Sequence, residues 1–185
     1  FLLENLKEIV SKFKIADEIN EVKPLGEGLI NDTFKVFVKG DENPKYVLQR
    51  INNAIFQDVE MLQDNIEKVT NHIRKKLIAK NENDIERKTL NFIRTKDDMK
   101  FYFDGSKYWR LMKFISDSYT YQAVTPEYSY TAGLAFGEFQ SMLSDIDDCL
   151  RTKSIGSIVG TQRPAHKQAG KQKQINHLSP SPFLM

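Results

Sequence analysis

The chain has 185 residues, 27 of them Lys or Arg and 25 Asp or Glu, for a formal net charge of +2; 40% are hydrophobic and 28% charged. That balance is ordinary for a folded globular chain of one domain, or of one lobe plus an extension, and no apolar run approaches the ~20 residues that a membrane-spanning helix needs. Six of the 27 basic and none of the 25 acidic residues lie beyond Asp148, which leaves the first 148 residues with 21 basic and 25 acidic side chains, a net of −4.

Leu2, Leu3, Leu6, Ile9, Val10 and Phe13 recur at helical spacing and predict an amphipathic helix over 2–14. Acidic residues stand among the first apolar ones, with no basic segment and no small-residue cleavage site, so a cytoplasmic location is expected. The single Cys149 has no partner for an internal disulfide and is expected to be an inert thiol. A short strand over 21–25 precedes Gly26-Glu27-Gly28, and a second strand over 33–39 follows Asn31-Asp32-Thr33. Glycine takes positive φ and lets a backbone lie close to a ligand, so the loop suits phosphate oxygens. Glycines also punctuate plain hairpin turns, and the residues alone leave both readings open.

The turn Lys39-Gly40-Asp41-Glu42-Asn43-Pro44 leads into a third strand over 45–51, which makes an antiparallel meander. Asp58 is placed to cap a helix running to about Lys76, with Met61, Leu62, Ile66, Val69, Ile73 and Leu77 on one face. Residues 79–88 are charged and irregular; strands are expected over 89–93 and, past the turn at Asp104-Gly105, over 108–115. A linker over 116–127 leads to a helix over 128–144. From Arg151 onward the chain is basic and rich in Gln, Ser and Gly, with no sustained period. It lacks interleaved aromatics, so neither nucleic acid nor a membrane is an expected partner.

Five antiparallel strands, one helix after the third and a glycine loop between the first two predict an α+β fold that resembles the small lobe of protein-kinase-like proteins. The residues Pro24 to Phe34, Tyr46-Val47-Leu48-Gln49-Arg50-Ile51-Asn52, Asn65-Ile66 with Val69 and His72, Trp109-Arg110, Phe114-Ile115 and Phe136-Gly137-Glu138-Phe139-Gln140 carry a resemblance to the aminoglycoside phosphotransferase and choline kinase superfamily. Within it they are most similar to the N-acetylhexosamine 1-kinase branch, over roughly residues 5–145. The resemblance implies a small lobe over 1–115, a linker and first large-lobe helix over 116–148, and a tail outside the family pattern over 149–185.

The resemblance further implies an ATP-dependent kinase for a small-molecule alcohol, a sugar and in particular the anomeric hydroxyl of an N-acetylhexosamine, with Mg2+ as cofactor. It places Gly26, Gly28, Asn31, Asp32 and Thr33 in the phosphate loop and Met112 at the back of the adenine pocket. Backbone atoms of Lys113 and Ile115 would face adenine. Either Gln49 or Arg50 would face the phosphates, since a strand alternates faces: charge favours Arg50, alignment favours Gln49. Glu60, Asp64 and Glu67 are candidates to pair with a basic strand residue, and each is also an ordinary solvated helix charge. His72 and Trp109 read as structural. Tyr119 and Tyr121 stand open between packing and stacking on a sugar or base.

The pattern HxDxxxxN, which in such kinases supplies the catalytic Asp and a metal-binding Asn, does not occur; His166 is followed by Lys167, Gln168 and Ala169. No catalytic or metal residue is assigned, and the expectation is a truncated or frame-altered member without turnover on its own. The alternative is a non-catalytic nucleotide-binding or interaction module. Half of a two-lobed fold would also leave apolar surface uncovered and prone to association.

Overall fold

The computed structural model describes residues 2–26, 30–118 and 124–146, and divides the chain into two compact units, Phe1–Ser118 and Tyr119–Met185. Expectations that rest on Gly28, on Tyr119 and Tyr121, on Cys149, on His166 and on the 149–185 tail lie outside the described residues.

The first unit is α+β, with an antiparallel sheet. Its elements are α1 (Leu2–Ser11), β1 (Ile19–Pro24), β2 (Asp32–Val38), β3 (Pro44–Ile51), α2 (Val59–Ala79), α3 (Ile85–Lys88), β4 (Phe92–Ile93), β5 (Tyr102–Phe103) and β6 (Tyr108–Lys113). The sheet has six strands rather than the expected five, in the order β1-β2-β3-β6-β4, with β5 paired to β6 alone. β5 is two residues long, too short for a period to show, and it exists because the Asp104-Gly105 turn folds it back onto β6. The strand expected over 89–93 shrinks to Phe92–Ile93. Residues 85–88 coil into α3 instead, and the Thr89 hydroxyl donates back to the Ile85 carbonyl at 3.0 Å.

The first helix ends at Ser11, not 14, because the chain beyond it joins an extended pairing: Lys14 N–H donates to the Arg94 carbonyl and Lys96 N–H to the Lys12 carbonyl, both at 2.8 Å. α2 starts where the sequence placed it. The Asp58 carboxylate accepts from Met61 N–H at 2.8 Å, a cap that contributes ~1 kcal/mol.

Two cores lie on opposite faces of the sheet. On one, Leu6, Ile9, Val10 and Phe13 pack against Val22, Val36, Val38, Tyr46, Leu48, Trp109 and Leu111. Each such aliphatic or aromatic side chain, fully buried, contributes ~1.5–3 kcal/mol, which is why the short α1 holds its place. On the other face Ile51 meets Val59 and Leu62 of α2, with Phe56, Ile66, Phe101 and Tyr108 around them. α2 thus covers the β3–β6 part of the second face.

In the second unit α4 (Pro126–Met142) begins two residues earlier than expected. Thr125 caps it by accepting from Tyr128 N–H at 3.2 Å, and Pro126 occupies the first turn, where its missing N–H costs nothing. None of its described residues is buried.

Candidate functional site

The link between β1 and β2 starts at Gly26, whose φ of 65° lies in the left-handed region. Across its mouth Leu25 N–H donates to the Thr33 carbonyl at 2.8 Å, and the Asn31 side-chain oxygen accepts from Asn52 N–H at 2.9 Å. The loop is thereby tied both to its own second strand and to the end of β3.

Register then separates the residues that the sequence grouped together. Thr33 stands opposite Gln49, and Gln49 opposite Arg110; Asp32 stands opposite Arg50, and Arg50 opposite Trp109. Cross-strand partners share a face. Gln49 therefore lies on the α2 face with Thr33, Arg110 and Met112, while Arg50 lies on the α1 face in an ion pair with Asp32. Arg50 and Asp32 border an open hollow of about 340 Å3 with Asn52, Asn53 and Lys107.

On the α2 face the polar groups form a continuous row. Arg110 is only 2% exposed, and its Nε and Nη2 both donate to the Gln49 side-chain oxygen, at 2.9 and 2.6 Å. Gln49 Nε2 donates to the Thr33 hydroxyl oxygen at 3.1 Å. From α2, Gln63 supplies its side-chain oxygen to Arg110 Nη1 at 3.2 Å. The Phe92 ring lies 5.5 Å below the guanidinium carbon. Burial lowers the Arg110 pKa to about 10, so the group stays cationic at neutral pH. The Gln63 amide nitrogen is buried with no hydrogen-bond partner, a cost of ~1–3 kcal/mol that the fold carries.

None of the three acids nominated on α2 reaches β3. Glu67 pairs with Arg94 at 3.0 Å and with Lys100 at 3.5 Å; Asp64 also binds Lys100, and Glu60 is exposed in the first turn. Gln63 makes the helix-to-strand link instead, through Arg110. Sequence reasoning missed both, although an arginine flanked by Trp109 and Leu111 in a strand that is apolar on both faces was a signal of a buried charge.

Met112 is buried, two positions along β6 from Arg110. Lys113 N–H is taken by the Asn91 carbonyl at 2.9 Å and its ammonium lies 3.5 Å from Glu86; the Ile115 carbonyl accepts from the Ser118 hydroxyl at 3.2 Å. Lys23 and Lys35 face each other across β1 and β2, on the same face as Gln49. Like charges directly opposite repel, and the Glu21 carboxylate beside Lys23 relieves part of that repulsion. Lys23 is exposed, with its ammonium paired to Glu21 at 2.8 Å and set over the Phe37 ring, and Lys35 is half-buried with its ammonium over the Phe114 ring.

Among the described residues no group of three or more His, Cys, Asp or Glu side chains is arranged to hold a metal ion. The described residues therefore do not by themselves build the Mg2+ site that the resemblance implies. Beside the left-handed Gly26 they set the Thr33 hydroxyl and two lysines on one face of the sheet. No protein-family model matches the chain.

Proposed function

We propose that residues 1–115 are the nucleotide-holding small lobe, protein-kinase-like in build, of an ATP-dependent phosphotransferase acting on an alcohol group of a small molecule. The acceptor class we favour is a sugar, with the anomeric hydroxyl of an N-acetylhexosamine first. The observation that carries the reading is the juxtaposition, at one end of an antiparallel sheet, of Gly26 at positive φ with Thr33, Gln49, Lys23 and Lys35 on a single face. Backbone and hydroxyl donors bind phosphate oxygens there, and the lysines offset their charge. ATP brought to this face would need its Mg2+ and the acceptor-activating carboxylate from residues other than those described, so this chain alone is expected to bind without turnover.

The test is a calorimetric titration of the folded, monomeric chain with Mg·ATP, beside Gly26→Val and Gly28→Val. Valine at a φ of 65° is strained, so the loop must move. The expected result is binding that both changes weaken at least tenfold. Absence of binding by the wild-type chain, or equal binding by the variants, would overturn the reading.

A second reading, an interaction module without kinase activity, draws on α4, where Leu134 and Phe136 are more than half exposed. Concentration-dependent association without ATP binding would favour it.

A further inference from the structure

Arginine in the middle of a buried strand is a strong constraint on its neighbours, because a guanidinium has hydrogen-bond donors and no acceptor. Two of those donors converge on one oxygen of Gln49. The amide is therefore held one way round: its oxygen faces Arg110, and its nitrogen must face Thr33. Since that nitrogen can only donate, the Thr33 hydroxyl is the acceptor in this bond. Its own proton is then left over, and among the described residues the Thr33 hydroxyl makes no hydrogen bond as donor. The row runs in one direction, from Arg110 through Gln49 to Thr33, and ends in a donor beside the β1–β2 turn.

Stability alone gives no reason for this arrangement. The same guanidinium holds Gln63 by its oxygen and so turns the Gln63 amide nitrogen toward a buried place without a partner. Apolar residues of similar volume would fill β6 and α2 without an orphaned donor, and buried charge is generally no gain over such packing. Besides fixing how β3 pairs with β6, the cluster orders Thr33.

We propose that Arg110 is a positioning residue which, through Gln49, presents the Thr33 hydroxyl as a hydrogen-bond donor to a phosphate oxygen of the bound nucleotide. The inference rests on the nucleotide reading above. It assigns roles to Arg110, two side chains away from any ligand, and to Gln63, three away, and it explains why a neutral amide rather than a cation faces Thr33: a lysine there would donate without being fixed in orientation.

The experiment is a pair of double-mutant cycles read by Mg·ATP affinity in the full chain. Thr33→Val removes the donor and should weaken binding about tenfold, as for the loss of one hydrogen bond to a charged oxygen; Thr33→Ser should restore it. Gln49→Glu keeps the acceptor for Arg110 but has no donor, so the Thr33 proton turns inward to the carboxylate. On that background Thr33→Val should change affinity less than twofold. The second cycle uses Arg110→Lys, which adds no negative charge and leaves the Gln49 amide able to rotate; there too the Thr33→Val effect should shrink severalfold. Circular dichroism checks that each variant is folded, and a variant that is not is replaced by Gln63→Met, which loosens Arg110 from the helix side and should give the same shrinkage.

Wild-type binding with the full tenfold Thr33→Val loss in every background would overturn this inference and leave the nucleotide reading standing. Wild-type binding that Thr33→Val leaves unchanged would do the same. A folded wild-type chain that binds no Mg·ATP would overturn both.

Discussion

Trp109, the only tryptophan, donates its indole N–H to Asp104 at 2.7 Å, and the other oxygen of Asp104 accepts from Ser106 and Lys107 N–H at 2.9 and 2.8 Å. One exposed carboxylate thus closes the β5–β6 turn and satisfies a buried indole. Asp104→Asn keeps an oxygen for the two turn amides but sets an NH2 against the indole, so it isolates one bond. Leaving the N–H of a 5%-exposed tryptophan without an acceptor costs ~1–3 kcal/mol; ~1.5 is the expected value here, since Asp104 itself is reached by water. Asp104→Ala also gives up the turn bonds, which solvent partly replaces, for ~2.5 kcal/mol in total. For a unit of this size ~1 kcal/mol moves the melting midpoint by ~4 °C, hence ~6 °C for Asn and ~10 °C for Ala.

Emission from Trp109 follows unfolding directly, so thermal melts by fluorescence are the assay. The acid limb provides a second reading. Partial burial raises the Asp104 pKa, but the indole, the Lys107 and Ser106 amides and the Lys107 charge outweigh it and hold the carboxyl below its usual value of 3.8. A depressed folded pKa means stability that is present above pH 3.8 and lost as pH falls toward the folded value, and Asp104→Asn should remove that part of the acid dependence. Midpoints for Asn and Ala within 1 °C of wild type would refute the reasoning.

Three further outcomes follow from the same structure. Burial, then the hydrogen bond to Asp17 and its charge, push Tyr46 up from 10.0 to about 12. Stability tied to this proton is complete below pH 10 and lost as pH rises toward 12; a two-unit shift is ~2.7 kcal/mol, discounted to ~1–2 because solvent reaches the pair. Urea denaturation at pH 8 and pH 11.5 should show that loss in wild type and not in Tyr46→Phe. Phe13→Ala empties a fully buried site under α1 and should cost ~3–5 kcal/mol in the same assay, with a loss below ~1.5 counting against that core. Gly26→Ala meets no atom within 4 Å but must hold a φ of 65°, so a strain cost of ~1–2 kcal/mol is expected, with Gly26→Asn costing less; equal midpoints for all three would mean the turn is not held in that conformation.

The meander β1-β2-β3, the Asp58 cap and the α1 stripe were legible because each rests on neighbours in sequence: a two-residue or 3.6-residue period, or a carboxylate three residues from its amide. β5 was not legible, because Tyr102 and Phe103 are strand only by virtue of a partner across a turn. Nor was the face on which each of Gln49 and Arg50 lies. Alternation says that the two point opposite ways, yet which one meets α2 depends on the pairing of β3 with both neighbours. Gln63 escaped notice for a related reason: on an amphipathic helix a glutamine reads as a solvated residue until its strand partner is known.

That pairing is itself fixed by polar residues rather than by the hydrophobic pattern. Tyr46, Val47, Leu48 and Gln49 are all buried, so β3 is covered on both faces, and shifting it by one residue would exchange Val47 for Leu48 at little hydrophobic cost. The shift that sets Arg50 where Gln49 stands would, however, place it opposite Arg110 in a buried setting and turn Gln49 onto the apolar α1 face against Phe34 and Leu111. Two guanidinium groups cannot satisfy each other, since neither accepts a hydrogen bond, and their charges repel in a medium that screens them poorly. The Asp32–Arg50 pair on one face and the Arg110–Gln49 bonds on the other therefore select a single register. The same residues that specify how β3 sits decide that a neutral amide, backed by a buried cation one strand away, is what meets the Thr33 hydroxyl at the Gly26 end of the α2 face.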